Sequence, residues 1–557
     1  MQWLLRALQG EKQTLSAKVL KAIVDTEPTK IDIIDDDVKE TLIEQTIESA
    51  KDQQEGTLIE EDDLSDFVAE IIVNTDNETA IKVIEEINDA ETDSNFSLDV
   101  ISGVSKKDDN KLNDLSLDIK DEIEQLAENA VKKAENTSED SEKIADIVSV
   151  VNDELVNKVV EEVSKVSTEE KQTLSAKVLK AIVDTEPDKI EVINDEIKDT
   201  MIQQTIDATK DQQEGISLED EDDLTDLVAE IIVNADTETA EKIIDEVNEI
   251  DTETNLSLKV ISGISEKDNQ KLDILAINNQ SQIEELTQDA VQNAENTDED
   301  SELIAQVVSV VNDDLANKVV EQVNNAVENN DEKETLSAKV LNALVENDSE
   351  KIESISEENI EKLIENTVDV AKKQNEGDII DDTNYTDVIS DIIINSETDT
   401  ASKVLEEIDE TETESNLKLD IVTNLNKDEN FDEVLEDLKE QSENNDQILS
   451  NIVDEVIDNI EDDEDFEKIT DIIKDSEGSS LTDKIIESGN KSEDNKQVVS
   501  EVLEEVAKED PDKVIDIIEK TAETEEIVEL IEDKIENEEA ITIEDFEEVF
   551  DINISPN

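Results

Sequence analysis

The sequence predicts an all-α fold: a right-handed or superhelical α-solenoid built from tandem repeats of short helices. The chain has 557 residues but only 8 glycines and 4 prolines, far below the average usage of roughly 7% and 5%. This scarcity removes most turn chemistry and favours helices joined by tight polar connections. Hydrophobic residues make up 35% of the chain and recur at regular spacing, so we expect a folded chain despite its high charge.

A repeated segment shows how the predicted helices are organised. The residues EKQTLSAKVLKAIVDTEP occupy Glu11 to Pro28 and return letter for letter from Glu170 to Pro187, and a diverged version begins at Glu332. Neighbouring units of roughly 80 residues differ from each other, so the larger period is roughly 160. The two identical copies therefore indicate duplication of a large block, which a repeat architecture tolerates because each unit contacts chiefly its neighbours.

The predicted organisation starts with a partial N-terminal unit or cap over residues 1–13, followed by about seven units. The units cover 14–94, 95–172, 173–254, 255–334, 335–415, a diverged sixth unit over 416–496, and a truncated or capping unit over 497–557. Because the chain begins within a unit, we expect its ends to be either caps that close the stack or the edges of a longer repeat array.

Five elements are predicted in the first complete unit. They are a helix over 15–24, a brief turn near Ile31, and helices over 38–54, 64–73 and 79–87. In the first helix, hydrophobic residues cover a face broad enough to touch two neighbouring layers, as a solenoid requires. Two sets of equivalent positions change type but stay hydrophobic, which predicts core residues: Phe67, Leu227 and Val388, and Leu64, Leu224 and Tyr385.

Several helix ends can also be predicted. A Glu-Gly pair follows the long helix in three copies, which predicts a left-handed C-terminal cap at Gly56, Gly215 and Gly377. Thr75 with Glu78, and Ser167 with Glu170, fit the spacing of a capping box.

Two glycines lie inside otherwise helical segments. Gly103 and Gly263 each cost the helix roughly 1 kcal/mol relative to alanine. Close approach of a neighbouring helix is the expected compensation, and a hinge is the alternative.

The charge and the missing residue types limit the possible functions. The chain carries 159 acidic against 47 basic residues, a formal net charge of −112, and it contains neither histidine nor cysteine. Such a charge repels nucleic acid and anionic membranes and attracts basic proteins or divalent cations. Without His, Cys or a glycine-rich phosphate loop, most nucleophilic, redox and nucleotide-dependent mechanisms are removed. We therefore predict no enzyme activity, no catalytic residue and no cofactor.

Acidic clusters recur before the fourth helix of the odd-numbered units. They could hold a hard cation, but no D-x-D-x-D-G loop is present, and carboxylates at a helix N-terminus are also explained by the helix dipole and by capping. The second interpretation is preferred, so no metal site is predicted. The candidate ligands under the first interpretation are Glu60, Asp62, Asp63, Asp220, Asp222, Asp223, Asp381 and Asp382.

These observations predict a non-enzymatic acidic scaffold or spacer, a segment of a larger bacterial surface or filament protein. The pattern A-x-K-V-I-E-E-I at Ala80 resembles helices of bacterial superhelical repeat modules. The alternative is a module that binds a basic protein or diffuse divalent cations, with no nucleic-acid partner and no membrane insertion. No signal peptide or apolar run of about 20 residues is recognised, which predicts a soluble chain, cytoplasmic, or exposed at the surface if the N-terminus is a fragment.

Overall fold

The structure is a computed structural model that describes residues 15–521 together with 534, 541–543, 545 and 546. The gaps within the long segment are 32, 57, 59–62, 91–93, 168–170, 216–222, 251–254, 414–415, 429, 461–462 and 476–479. The chain forms two compact units, Met1–Asn293 and Ala294–Asn557.

The helices of the first unit are α1 (15–26), α2 (Asp36–Gln54), α3 (Leu64–Asn74), α4 (Asn77–Asp89), α5 (Phe96–Lys107), α6 (Lys111–Asp118), α7 (Lys120–Lys133), α8 (Ser138–Val150), α9 (Asp153–Val166), α10 (Leu174–Thr185), α11 (Asp195–Gln213), α12 (Leu224–Asn234), α13 (Thr237–Glu249), α14 (Leu256–Lys267), α15 (Asn269–Asn278) and α16 (Gln280–Asn293). Short 3₁₀ turns at Pro28–Lys30 and Pro187–Val192 follow α1 and α10.

The helices of the second unit are α17 (Asp298–Val310), α18 (Asp313–Asn329), α19 (Leu336–Ile352), α20 (Glu357–Asn375), α21 (Tyr385–Asn395), α22 (Thr398–Glu410), α23 (Leu417–Lys427), α24 (Phe431–Gln441), α25 (Glu443–Asp458), α26 (Asp463–Asp475), α27 (Ser480–Ser488), α28 (Glu493–Glu509) and α29 (Pro511–Thr521). A 3₁₀ turn at Asp331–Lys333 precedes α19.

The helices stack in two rows within each unit. In the first unit, α3, α5, α8, α10, α12 and α14 form one row, and α2, α4, α7, α9, α11, α13 and α16 form the other. In the second unit, α17, α19, α21, α23, α26 and α28 form the first row, and α18, α20, α22, α25 and α27 form the second. Each helix packs against its neighbours in the same row and against its partner in the other row. The predicted α-solenoid is therefore confirmed, and each repeat of roughly 80 residues holds two helix pairs.

The core follows the hydrophobic spacing of the sequence. In α3, Leu64, Phe67, Val68, Ile71 and Ile72 recur at i, i+3, i+4, i+7 and i+8 and are each at most 5% exposed. The matching residues of α12 and α21 are buried as well. The prediction that these positions form the core is confirmed. The predicted elements of the first complete unit also appear in order, with helix ends that differ by at most two residues.

Glycine is required at two kinds of position. Gly56, Gly215 and Gly377 have φ of 70°, 75° and 85° at the ends of the long helices, which confirms the predicted left-handed caps. A Cβ added to Gly103 would lie 2.9 Å from the Cβ of Ala69, and one added to Gly263 would lie 2.8 Å from that of Ala229. Close helix approach is therefore confirmed as the reason for these two glycines.

The capping box predicted at Thr75 and Glu78 is wrong. Thr75 ends α3 and donates its hydroxyl to the Ile71 carbonyl at 2.6 Å. The cap of α4 is Asp76, whose carboxylate accepts the Thr79 N–H at 2.9 Å. An aspartate one residue after the threonine is a strong N-cap, so it takes the role that the spacing had given to Thr75. Ser167 likewise ends α9, and Glu170 lies outside the described residues.

The ends of the chain are described only in part. The predicted cap over 1–13 lies outside the described residues, and Gln497, the predicted start of the seventh unit, lies inside α28. Among the helices that the structure describes, none is long and apolar enough to cross a membrane.

A set of lysines, which we call the lysine ladder, joins successive first-row helices. Three of these lysines follow a first-row helix, and the fourth, Lys351, lies within α19 after the kink at Asp348. Each donates its Nζ–H to the backbone carbonyl of the residue that ends the preceding first-row helix. This bond satisfies an open carbonyl at the negative end of the helix dipole. The bonds run from Lys111 to Thr75 (2.9 Å), and from Lys189 to Val151, Lys271 to Ala235 and Lys351 to Val311 (2.7 Å each).

Candidate binding surface on the second row of helices

A groove crosses three consecutive second-row helices of the second unit, α18, α20 and α22, and encloses about 600 Å³. Eight glutamates and two lysines line it, with three asparagines and one isoleucine. The lining residues are Glu321, Asn324, Asn325, Glu328, Glu358, Asn359, Glu361, Lys362, Ile364, Glu365, Lys403, Glu406, Glu407 and Glu410.

Both lysines of the groove already have acidic partners. Lys362 Nζ lies 2.8 Å from a carboxylate oxygen of Glu365 and 3.4 Å from one of Glu328. Lys403 lies 3.1 Å from Asp399 on the same helix. Since two lysines face eight glutamates, most of the negative charge in the groove has no lysine beside it among the residues that the structure describes.

Asparagine side chains fix the helices that form the groove. Asn324 on α18 donates its amide to the Asn359 carbonyl at 3.1 Å, and Asn359 on α20 donates to the Asn317 carbonyl at 3.1 Å. These bonds hold α18 and α20 in one register, so the carboxylates project from a fixed surface.

Crowding of the carboxylates perturbs their ionisation. Burial and the charges of Glu365 and Glu410 raise the pKa of Glu407 above its ordinary value, with Lys362 opposing the rise. The groove therefore holds charge that would be more stable beside a cation.

The glutamate at the same helix position also has a raised pKa in the two other copies of the repeat. Burial and the charges of Glu249 and Asp199 raise the pKa of Glu246 on α13. Burial and the charge of Glu44 raise the pKa of Glu86 on α4. The acidic surface thus recurs along the second row of the first unit as well.

Carboxylates of the first row are arranged differently. Lys107 on α5 lies 2.9 Å from Asp66 on α3, and Lys267 on α14 lies 2.8 Å from Asp226 on α12. Burial opposes the charged form, but the hydrogen bond and charge of Asp66 raise the pKa of Lys107 above its ordinary value. These first-row carboxylates are therefore paired across neighbouring helices.

A second, smaller groove of about 300 Å³ lies on the first row of the first unit, between α8, α10 and α12. Lys180 crosses it and lies 2.7 Å from Asp184 and 3.1 Å from Glu230. Because its charges are mixed and paired, this groove presents less uncompensated charge than the groove on α18, α20 and α22.

The predicted metal candidates do not line either groove as a cluster. Asp63 accepts the Ser65 N–H at 2.9 Å, and Asp223 accepts the Thr225 N–H at 2.9 Å, as the helix-cap interpretation expects. Asp223 also borders the smaller groove.

In the third copy, Asp381 accepts the Thr383 N–H at 3.0 Å and the Tyr385 hydroxyl at 2.9 Å, whereas Asp382 is exposed. The other candidates, Glu60, Asp62, Asp220 and Asp222, lie outside the described residues. Within the described part of the chain, no group of three or more side chains is placed to hold a metal ion.

The sequence did contain a signal for the larger groove. The pattern quoted at Ala80 places Lys82 and Glu86 one turn apart on α4, and the same two residue types recur on α13 and α22. From the sequence alone these positions indicate only a helix pattern, because the sequence does not show which helices lie side by side.

Comparisons with known proteins identify no family for this chain. No family model matches the sequence, and no curated protein does. Solved structures that align include human Puf-A in complex with DNA (TM-score 0.27, 11% identity, 94% of this chain and 99% of that one). PUF-8 in complex with PBE-RNA aligns over 84% of this chain and 94% of its own (TM-score 0.26, 11% identity). The karyopherin Kap121p, bound to the C-terminus of the phosphatase Cdc14p, aligns over 92% and 67% (TM-score 0.32, 10% identity).

These comparisons correct two predictions. The aligned chains were solved with DNA, RNA and a protein segment, and neither the acidic spacer in a bacterial surface or filament protein nor the exclusion of nucleic acid is retained. At TM-scores of 0.26 to 0.32 these alignments assign no partner to this chain. The physical reason is that net charge is a sum over the chain, whereas a binding surface depends on the side chains at one place.

Proposed function

We propose that this chain is a binding protein whose partner is another protein, held along the second row of helices. The observation that carries the proposal is the groove on α18, α20 and α22, with eight glutamates against two paired lysines. Duplicated helix pairs duplicate a surface more readily than a unique catalytic pocket. We therefore also propose that the chain binds without catalysis.

The shape and charge of the groove favour a polypeptide segment that carries lysine or arginine. A groove that crosses three helices offers contacts along an extended segment, and cationic side chains would be attracted to carboxylates such as Glu407. At this groove, the phosphates of a nucleic acid would meet the same carboxylates and would be repelled there. Protein binding is therefore the function that this geometry supports best.

A direct test compares a lysine-rich peptide with an RNA oligonucleotide on the same purified full-length chain. Each fluorescent probe is titrated with the unaltered protein and with the double variant Glu365→Gln, Glu407→Gln, whose substitutions keep side-chain size and remove charge. The control is Glu299→Gln, Glu302→Gln on α17, where both residues are exposed on the first row.

We expect the peptide to bind the unaltered protein and the α17 control equally, and to bind the groove variant about threefold to tenfold more weakly at low salt. Equal weakening by both variants would show diffuse attraction and contradict the groove. Tighter binding of the RNA than of the peptide would contradict the proposed class of partner.

A further inference from the structure

One first-row surface holds two lysines in the first unit and neither of them at its equivalent in the second unit. In the first unit, Lys180 on α10 lies 2.7 Å from Asp184 and 3.1 Å from Glu230. Lys267 on α14 lies 2.8 Å from Asp226 and 3.5 Å from Glu230. Three carboxylates on α10 and α12 therefore hold two ammonium groups.

The equivalent surface of the second unit, which we call the α19–α21 surface, keeps all three carboxylates. They belong to Glu346 on α19 and to Asp387 and Asp391 on α21, and each of these side chains is exposed. The position of the α10 lysine is taken by Asn342. The negative charge is thus retained at matching positions, while an amide replaces one ammonium group.

The second lysine of this surface is present but has another partner. Lys427 at the end of α23 donates to Asn424 at 3.0 Å, and Asn424 donates to Asp387 at 2.6 Å. Among the residues that the structure describes, Lys427 forms no ion pair, and Glu346 and Asp391 have no lysine partner. The α19–α21 surface therefore presents three carboxylates without an ammonium group beside them.

Two groups of the α19–α21 surface show the effect of the missing lysine. Asn342 donates its amide to Glu346 at 2.9 Å, but its Oδ1 is shielded from solvent and accepts no hydrogen bond from the described residues. Partial burial, and then the charges of Asp387 and Glu346, raise the pKa of Asp391. A cation with hydrogen-bond donors would stabilise both the unpartnered oxygen and the crowded carboxylate.

We propose that the α19–α21 surface binds a lysine side chain of a partner protein. The matching surface of the first unit identifies this chemistry, because there the same three positions hold ammonium groups. A metal ion fits less well, since no group of three or more acidic side chains in the described part of the chain is placed to hold one. The ammonium group would lie between Glu346 and Asp391, where Lys180 lies in the first unit, and Asn342 would rotate its amide to accept a hydrogen bond.

The test localises the contact with a peptide that carries two lysines in a glycine- and serine-rich sequence. The peptide is mixed with the full-length chain at about 0.15 M salt, where the Debye length of about 8 Å limits diffuse attraction. A carbodiimide then couples lysine amines to carboxylates in direct contact, and mass spectrometry identifies each coupled residue. We expect Glu346 and Asp391 to couple at least about threefold more than Asp184 and Glu230, which already have lysine partners.

A substitution that supplies the missing ammonium group from within the chain should block the site. Asn342→Lys should lower coupling at Asp391 about twofold to fivefold, the range expected for an exposed ion pair. Asn347→Lys adds the same charge at an exposed position of the same helix and should leave the coupling unchanged. Asp391→Asn should lower coupling at Glu346 about twofold, whereas Asp382→Asn, also at an exposed position, should not.

Equal coupling at Glu346 and Asp184, or equal losses in the Asn342→Lys and Asn347→Lys chains, would show diffuse attraction and overturn the proposal. Loss of coupling with an equal concentration of 1,5-diaminopentane would assign the surface to a small amine, and loss with calcium at matched ionic strength would assign it to a metal ion. Either result would overturn a protein partner here. Coupling at Glu407 reports separately on the second-row groove, so neither proposal depends on the other.

Discussion

The interface between α12 and α14 and the equivalent interface between α21 and α23 solve one packing problem in two ways. In the first, Gly263 faces Ala229 so closely that an added Cβ would lie 2.8 Å from the alanine Cβ. In the second, the same positions hold Asn424 and Ser390. Removing the side chain permits close backbone approach, whereas an asparagine requires room for its amide.

The polar contacts change together with the packing. Lys267 on α14 lies 2.8 Å from Asp226 on α12. In the other interface, Lys427 donates to Asn424 at 3.0 Å, and Asn424 donates to Asp387 at 2.6 Å. The asparagine amide is thus inserted between the lysine and the aspartate.

A third difference lies after the second helix of each interface. Lys271 donates to the carbonyl of Ala235 as part of the lysine ladder, whereas the equivalent position holds Phe431, which is 3% exposed. The glycine, the ion pair and the ladder lysine of the first interface are therefore all replaced in the second. Moving a single residue from one interface into the other should lower the stability of the fold.

The largest effect is expected for Gly263→Asn, which places the asparagine of the second interface into the first. Because Ala229 occupies the space, we expect the local free energy of unfolding to fall by about 1–3 kcal/mol. Hydrogen exchange measured by mass spectrometry on segments of α12 and α14 checks this value. Asn424→Gly is the reciprocal control, and unchanged protection in Gly263→Asn would show that the helices separate without cost.

A smaller effect is expected for Lys271→Met, which keeps the aliphatic stem and removes the ammonium group. The Ala235 carbonyl loses its donor, so α12 should be destabilised by about 1–2 kcal/mol. The measurement is the same exchange experiment, with Lys318→Met at an exposed site as the control. Equal protection in the two variants would count against the ladder.

Next comes Tyr385→Phe at the start of α21, where the equivalent residue of α12 is Leu224. The hydroxyl donates to Asp381 at 2.9 Å, so we expect a loss of about 1 kcal/mol, confined to α21 and residues 378–384. Exchange of this segment should accelerate while that of α12 does not change. A global change in exchange would mean that the ring, and not the hydroxyl, had been disturbed.

The smallest effect concerns a position where the two regions agree. Burial first, then like charges, raises the pKa of Glu246 on α13 and of Glu407 on α22. The folded state therefore holds these protons more tightly than the unfolded state, and stability falls as pH rises through the carboxylate range. Glu246→Gln or Glu407→Gln should stabilise by about 0.3–0.5 kcal/mol at pH 7 and by nothing near pH 4.

Denaturation midpoints at the two pH values check this prediction, with the exposed Glu302→Gln as the charge-matched control. A stabilisation that persists at pH 4 would have another cause. The same Glu407→Gln substitution is expected to weaken peptide binding, so the groove would trade stability for attraction.

Much of the fold could be predicted because its causes are local. Hydrophobic spacing predicts the helices of the first repeat, residues 14–94, and the physical reasons predicted for Gly56 and Gly263 are confirmed by the structure. The error at Thr75 was also local, since Asp76 is a competing cap one residue away. Such competition is decided by backbone geometry that the spacing alone does not show.

The candidate site was harder to predict because its causes are not local. Burial, and then the charge of Glu365 on another helix, raises the pKa of Glu407. The sequence does not show that α20 and α22 are neighbours. The lysine ladder was missed for a related reason. Lys111 and Lys189 recur with the repeat, but their acceptors are backbone carbonyls, which every residue possesses.

The equivalent placement of Lys30 and Lys189 bears on how such a chain changes length. Recombination between the two identical segments of the gene adds or removes 159 residues, which is 170 minus 11. Such recombination joins helices that already have complementary faces. It also places a ladder lysine where its Nζ–H can donate to the carbonyl that ends a first-row helix. Recombination can therefore lengthen or shorten this protein in fixed steps, and no step requires a new interface to evolve.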